Sequence, residues 1–170
     1  MTKTPAPNIE RFLEAQDQRS AGYASALAEI RSGGKQGHWI WYVFPQIAGL
    51  GLSPASIRYG IVDLREARTY LQNETLRSRL LTITAAVAEQ ARCGYPLSAV
   101  MGSSIDVMKL VSSLTLFAHV ARQLHAAEQL DAYRELATTA EKVLVTAAKE
   151  GYPACRFTLD RLGADTTPRR

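Results

Sequence analysis

The sequence predicts an all-α protein, folded as a single compact domain of about six to eight helices. Three observations support this fold class. Apolar residues recur at intervals of three and four along most of the chain, as they do on the buried face of a helix. Residues that cap or stop helices separate these runs. No two alternating apolar runs are joined by Asn-Gly or Asp-Gly, the dipeptides typical of β-hairpins.

Composition sets the domain boundaries. Residues 1–7 contain two prolines among small polar residues, which predicts a disordered lead. The single helical domain is expected to span residues 8–163, and residues 164–170 form a tail. A chain of 170 residues is about the length of one domain.

The first two helices precede a pair of glycines. Asn8 is a suitable N-cap for a helix that reaches about Gln16. A second helix runs from about Tyr23 to Ile30, and Gly33-Gly34 follows it, as glycine does after the last turn of many helices.

The aromatic segment from Trp39 to Phe44 fits either a buried strand or a short helix that stops at Pro45. The helical surroundings favour a helical turn. In a helical turn, His38, Trp41 and Tyr42 would lie on one face.

Side-chain caps mark the beginnings of the next three helices. Ser53 precedes a proline, which suits the first helical position. Asp63 is followed by Glu66 in the acidic form of a capping box. Asn73 can cap a helix that continues to about Gln90.

The C-terminal half contains the clearest helix. Residues 93–96 interrupt the chain, and a short apolar turn ends at Gly102. Ser103 or Ser104 then begins a helix whose buried face is marked by apolar residues at helical spacing: Val107, Leu110, Leu114, Phe117, Ala121 and Leu124. Residues 128–150 form a last long helix, and residues 157–162 form a small terminal one.

Composition and charge exclude several kinds of partner. The net charge of +4 comes from scattered residues without a dense basic stripe, so nucleic acid is not an expected partner. Two separated cysteines and three dispersed histidines predict neither a metal nor a cofactor. We expect a cytoplasmic protein with no membrane partner, because there is no leader and no apolar run approaches about 20 residues.

Two segments combine polar with apolar side chains. Lys35, His38 and Trp41 surround the aromatic segment, although the spacing of a nucleotide-binding P-loop is absent. Asp106, Lys109 and Ser113 fall within or beside the apolar sector of the helix that begins near Ser104.

Two interpretations of this helix remain open. In the functional one, Lys109 and the first amides of the helix hold a phosphate or a carboxylate. In the structural one, Asp106 staples a neighbouring segment, Lys109 is its partner three residues on, and Ser113 bonds back to its own helix.

The same two segments resemble a known family. Its pattern is carried by Gly34-x-Lys35-x-x-His38-Trp-x-Trp41-x-x-Phe44-Pro45-Gln46 and by Gly102-x3-Asp106-x-x-Lys109-Leu110-x-Ser112-Ser113. These motifs are similar to those of the bacterial domain-of-unknown-function family 1810, sometimes mislabelled calpastatin. The resemblance covers roughly Ile9 to Leu162. It implies a mainly helical single domain and no established activity, so the catalytic residues stay unknown.

The motifs also add Gln46 and Ser112 to the ligand-binding candidates. The leading hypothesis is a domain that binds a phosphate-bearing or nucleotide-like small molecule. Whether the domain also converts this molecule chemically is left open. Lys109 would be the anion partner, Asp106 an orienting carboxylate and Trp41 a stacking wall. The alternative is a non-enzymatic protein-interaction module that uses an aromatic groove. The hypothesis of a shared site requires the aromatic segment to meet the beginning of the helix near Ser104.

Overall fold

Helices account for all regular secondary structure in the computed structural model, which describes residues 6–165. Seven of the ten helices in this part of the chain have seven or more residues, and three are shorter, with four to six residues. In chain order they are α1 (Glu10–Gln16), α2 (Tyr23–Arg31), α3 (Ile40–Val43), α4 (Pro54–Tyr59), α5 (Leu64–Gln72), α6 (Glu74–Arg92), α7 (Leu97–Val100), α8 (Ser104–Glu128), α9 (Asp131–Lys149) and α10 (Arg156–Asp165). The all-α prediction is confirmed. The three short helices account for the difference between the ten helices observed and the six to eight predicted.

Helix α8 is the centre of the fold. It packs against α3, α5, α7, α9 and α10, while α6 packs against α2, α5 and α9. Every residue from 110 to 118 is buried, so α8 is enclosed on all sides over more than two turns. All six residues that the sequence assigned to its buried face are buried.

Helix α8 is unusually apolar for its length, and its burial in the fold accounts for this composition. By length and composition it is apolar enough to cross a membrane, which corrects the expectation that no segment of the chain comes close. However, 67% of its apolar window is buried against other helices, as in the central helix of a compact domain.

The predicted caps are confirmed except for the first. Ser53, Asp63, Asn73 and Ser103 each accept a hydrogen bond from a backbone N–H in the first turn of their helix. The assignment of Asn8 as an N-cap is wrong. Helix α1 is preceded by Ile9, with no side-chain cap, and the backbone carbonyl of Asn8 accepts a hydrogen bond from the guanidinium of Arg11.

The predicted boundaries fall partly outside the described residues. Residues 1–5 of the predicted lead and residues 166–170 of the predicted tail lie outside the described residues. Helix α10 extends to Asp165, so the first two residues of the predicted tail belong to a helix.

Candidate functional site

The loop that joins α2 to α3 lies against the junction of α7 and α8. The Lys35 N–H donates to the Val100 carbonyl at 2.8 Å, which fixes the loop to the end of α7. On the other side, the Lys35 carbonyl oxygen approaches Gly102 so closely that a Cβ there would lie 2.7 Å away. Because Gly102 also has a φ of +79°, both its conformation and its surroundings require glycine.

This contact places the Lys35 side chain against the first turn of α8. Its Nζ lies 2.6 Å from Asp106 Oδ2 and donates to the Gly37 carbonyl at 2.6 Å. The same ammonium lies 5.2 Å from the ring centroid of Trp39. Only 7% of the Lys35 side chain is exposed, so this lysine is a buried partner of the carboxylate.

Lys109 binds the other oxygen of the same carboxylate. Its Nζ donates to Asp106 Oδ1 at 2.9 Å, as the spacing of three residues predicted. It also lies 4.0 Å from the ring centroid of Trp41, within the range of a cation–π contact. Lys35, Trp41, Asp106 and Lys109 thus form one group, here called the lysine–aspartate cluster.

The cluster keeps Asp106 ionised. Burial by itself would raise the pKa of this carboxyl, but hydrogen bonds from Lys35 and Lys109 and their positive charges outweigh it, so the pKa lies below its ordinary value. Asp106 also lies in the first turn of α8, where the helix dipole favours a negative charge. The result is a carboxylate held between two ammonium groups.

Glu29 organises the loop from the opposite side, and sequence reasoning missed it. One carboxylate oxygen accepts three hydrogen bonds, from the backbone N–H groups of Gln36 and Gly37 and from the indole of Trp39, at 2.7, 2.9 and 2.8 Å. A signal was present, since Glu29 lies near the C-terminal end of α2, where the helix dipole disfavours a negative charge. A carboxylate in that position needs donors from elsewhere in the fold.

These donors lower the pKa of Glu29. Burial opposes ionisation, but the hydrogen bonds from Gln36, Gly37 and Trp39 and the charge of Lys35 outweigh it. The carboxylate form of Glu29 is therefore the form that holds the loop.

Acid is expected to weaken this loop. Folding lowers the pKa of Glu29 and of Asp106 from ordinary values of 4.5 and 3.8. Groups of this kind stabilise the fold above their unfolded pKa, and the contribution is lost as the pH falls through the folded pKa. The free energy of unfolding, measured with urea, should therefore decline from about pH 5 to about pH 3, and Glu29→Gln should flatten the decline.

The exposed Glu135 supplies the control. Glu135→Gln should leave the slope of the profile unchanged, because it has no equivalent set of donors in the described residues. If Glu29→Gln and the wild type lose stability in parallel, the carboxylate of Glu29 does not hold the loop.

The other candidate side chains form no hydrogen bond or ion pair with the ammonium groups of the cluster in the part of the chain that the structure describes. The predicted common face of His38, Trp41 and Tyr42 is wrong, because α3 begins only at Ile40 and His38 therefore lies outside the helix. His38 is exposed, whereas the Tyr42 hydroxyl points inward and donates to the Ala21 carbonyl at 2.5 Å.

The two serines of the second motif lie deeper in α8. Ser112 is buried and its Oγ lies 3.1 Å from Thr158 Oγ1, so it joins α8 to α10. Ser113 is fully buried, and its hydroxyl has no hydrogen-bond partner in the described part of the chain. The expectation that Ser113 bonds back to its own helix is wrong. Neither serine contacts the ammonium groups of the cluster.

Gln46 lies beside Trp41 of the cluster. Its backbone carbonyl accepts a hydrogen bond from the Ile61 N–H at 2.8 Å, and it lines a cleft of about 10 Å³ together with Trp41. This volume is close to the space that one water molecule needs. A larger depression of about 550 Å³ lies beside Lys35 on the surface of the loop and is lined by Ala28, Glu29, Ser32, Gly33, Gly34, Lys35 and Gln36.

The donor set of the described residues favours anions over cations. No three side chains of histidine, cysteine, aspartate or glutamate come together in residues 6–165 in a way that could hold a metal ion. At the cluster, two ammonium groups share one carboxylate, and Asp106 is the only described carboxylate in contact with either. Lys109 is the more accessible of the two, with 21% of its side chain exposed.

Comparisons with known proteins agree with this architecture. The family model described as "Protein of unknown function (DUF1810)" matches residues 6–144. The chain is also similar to a solved structure, that of the conserved hypothetical protein Rv1873 from Mycobacterium tuberculosis. The two are 36% identical with a TM-score of 0.70, and the match covers 91% of this chain and 95% of that chain. A comparison with curated proteins gives no match.

Proposed function

Because this chain belongs to the DUF1810 family, whose description names no activity, we propose a function from the site itself. The protein binds a small anionic molecule, phosphate-bearing or nucleotide-like, at the lysine–aspartate cluster, and it does so in the cytoplasm. The observation that carries the proposal is the ratio of charges, two ammonium groups to one carboxylate, at the beginning of a long helix.

The unbalanced charge favours an anion. Buried or half-buried charges are stabilised when they are paired, and Asp106 alone pairs with both lysines. Glu29 acts on Lys35 at longer range, but its hydrogen bonds go to the loop amides and an indole. Lys109 is the more accessible ammonium, with 21% of its side chain exposed against 7% for Lys35, so an anion would meet Lys109 first.

Lys109 has the chemistry to receive a phosphate. An ammonium group has three N–H donors, and Asp106 uses one of those on Lys109. The ammonium binds Asp106 of the first turn of α8, and helix N-termini have N–H groups without intrahelical partners that attract anions. Asp106 would orient the ammonium. Trp41 would contribute its indole, although Lys109 covers one face of the ring.

The alternative of an aromatic groove built on the tryptophans has less support. Trp39 is fully buried and its indole N–H is bound to Glu29. Trp41 is only partly accessible and carries the Lys109 ammonium on its ring. We assign no catalytic role to His38, because its side chain is exposed and forms no hydrogen bond with the cluster in the described residues.

Ligand-observed NMR tests the proposal. The probes are inorganic phosphate, AMP and glucose 6-phosphate, with adenosine and glucose as uncharged counterparts. We expect saturable binding of the phosphate-bearing probes at millimolar concentration or below. Lys109→Ala should weaken it about tenfold or more, since a charged hydrogen bond contributes about 1.5–3 kcal/mol.

The exposed Lys142 on α9 gives a matched control, because Lys142→Ala removes the same charge away from the cluster. It should leave binding unchanged. Circular dichroism should show both variants folded, since Asp106 keeps Lys35 as a partner when Lys109 is removed. Absence of binding at millimolar concentration, or equal binding by Lys109→Ala and the wild type, would refute the proposal.

A further inference from the structure

A pocket of about 390 Å³ lies where helices α6 and α9 end. The two helices pack against each other, and residues at the C-terminal end of each line the pocket together with the beginning of α7. Two tyrosines and one carboxylate are part of this lining: Tyr95, Tyr152 and Glu150. The volume is within the range of pockets that bind small molecules.

The two helices end in the same way, and each ending places a tyrosine beside the pocket. After α6, Gly94 has a φ of +96°, and the Tyr95 N–H donates at 3.2 Å to a carbonyl in the last turns of the helix. After α9, Gly151 has a φ of +93°, and the Tyr152 N–H donates in the same manner at 2.8 Å. Both endings are Schellman motifs, which fix the backbone of the residue after the glycine.

The rings of these two tyrosines are free to receive a cation. Tyr95 is 51% exposed, and Tyr152 is partly exposed. Among the aromatic side chains that are not buried in residues 6–165, they alone have no arginine or lysine over the ring. The others have one at 4.0 to 5.5 Å from the ring centroid: Tyr23, Trp41, Tyr59 and Phe157. The face of an aromatic ring attracts positive charge.

Glu150 adds a negative charge to the pocket. Its Oε2 accepts a hydrogen bond from the Leu97 N–H at 2.9 Å, which positions the carboxylate at the beginning of α7 and leaves its charge in place. Glu150 forms no ion pair within the described part of the chain. The lining contains no lysine, arginine or histidine. The charge of the lining is therefore negative.

The helix ends add to this negative potential. Helices α6 and α9 have 19 residues each, and the C-terminal end of a helix has a partial negative charge. Each helix has one basic residue in its last turn, Arg92 and Lys149. Neither lines the pocket, and Arg92 is paired with Glu89. A cation in the pocket would meet one carboxylate, two aromatic rings and two helix C-termini.

From these features we infer that this pocket, here called the tyrosine pocket, binds a small organic cation with a quaternary or methylated ammonium group. Glu150 would balance its charge, and the rings of Tyr95 and Tyr152 would contact its alkyl groups. Aromatic rings are well suited to alkylated ammonium ions, whose charge is spread over an apolar surface. This inference is independent of the proposed anion site.

A metal ion suits the tyrosine pocket less well. Calcium and magnesium ions take six or more oxygen ligands, usually with several carboxylates among them. The pocket has a single carboxylate, and no three side chains of histidine, cysteine, aspartate or glutamate in residues 6–165 could hold a metal ion together. The rings would also contribute no metal ligand through their faces.

Ligand-observed NMR with choline tests this inference on the full chain. The comparison probe is the uncharged analogue of choline in which carbon replaces nitrogen, so that its shape is the same. We expect saturable binding of choline at millimolar concentration or below, at constant ionic strength. The uncharged analogue should bind about tenfold more weakly or not at all, because it lacks the charge that the carboxylate and the rings attract.

Two substitutions locate the binding. Glu150→Gln removes the charge and keeps an oxygen that can accept the Leu97 N–H, and it should weaken choline binding about tenfold or more. Tyr95→Leu should weaken it about fivefold or more, whereas Tyr95→Phe keeps the ring and should bind as the wild type does.

Glu135→Gln is the matched control, because it removes an exposed carboxylate of α9 that does not line the pocket. It should leave choline binding unchanged. Since Tyr95 and Glu150 are exposed, circular dichroism should show all variants folded. Several results would overturn the inference: no saturable binding of choline at millimolar concentration, equal binding of the uncharged analogue, displacement of choline by an equal concentration of potassium ions, or binding unchanged by both Glu150→Gln and Tyr95→Leu.

Discussion

Replacing Glu66 with alanine is expected to lower the free energy of unfolding by about 3–5 kcal/mol, because it leaves a largely buried arginine without its counter-charge. The two oxygens of Glu66 bind Arg11 at 2.7 and 3.1 Å, and one also accepts the Val62 N–H at 2.9 Å. The side chains are 13% exposed for Arg11 and 3% exposed for Glu66. Arg11 in turn holds the carbonyl groups of Arg58 and Gly60, so the loop before α5 should loosen as well.

Glu89→Ala is the matched control for this loss. Glu89 forms an ion pair with Arg92, but the two side chains are 55% and 72% exposed. Ion pairs of this kind contribute little to stability, because water and salt screen them. Urea titrations of the two variants should therefore differ severalfold in their loss of stability. A Glu66→Ala variant within about 1 kcal/mol of the wild type would show that Arg11 is adequately solvated without its partner.

Gly102→Ala is expected to lower the free energy of unfolding by at least ~2 kcal/mol and to disturb the lysine–aspartate cluster. An alanine with positive φ costs about 1–2 kcal/mol by itself. Here the new Cβ would also lie 2.7 Å from the Lys35 carbonyl oxygen, which must move. Since Lys35 holds Asp106 through its side chain, displacement of its backbone should weaken both the fold and phosphate binding.

Gly94→Ala separates the cost of a positive φ from the cost of the close contact with Lys35. Gly94 has a φ of +96°, but nothing lies within 4 Å of the position of its Cβ. It should show only the backbone cost of about 1–2 kcal/mol and bind phosphate as the wild type does. If Gly102→Ala and Gly94→Ala lose the same stability in chemical denaturation, the close approach of Lys35 to Gly102 contributes nothing to the fold.

The local features of the fold could be predicted with few errors. The four confirmed N-caps begin α4, α5, α6 and α8, and the aromatic segment forms a helical turn. The resemblance to family 1810 is confirmed by the match of the family model. Asn8 was wrongly predicted as a cap because the N-cap position of α1 is Ile9, one residue later. Glu66 was interpreted only as part of a capping box, because its partner Arg11 is 55 residues away in the sequence.

The candidate site could be predicted in outline. The Asp106–Lys109 pair was expected from helical spacing, and the expected meeting of the aromatic segment with the beginning of α8 is confirmed by the contacts of Lys35 and Trp41. The ligand and the roles of these residues stay predictions. Glu29 was missed, because its three donors come from a loop that returns onto α2.

Neighbouring residues alone determined where four helices begin, at Ser53, Asp63, Asn73 and Ser103, and which residues of α8 are buried, because caps, helical periodicity and i, i+3 pairs join residues within one turn. Only tertiary packing decided that His38 faces solvent, that Lys35 reaches Asp106 and that Lys109 covers Trp41. Such contacts depend on how two separate elements approach each other. At this site that approach depends on a glycine, Gly102, and on one carboxylate, Glu29.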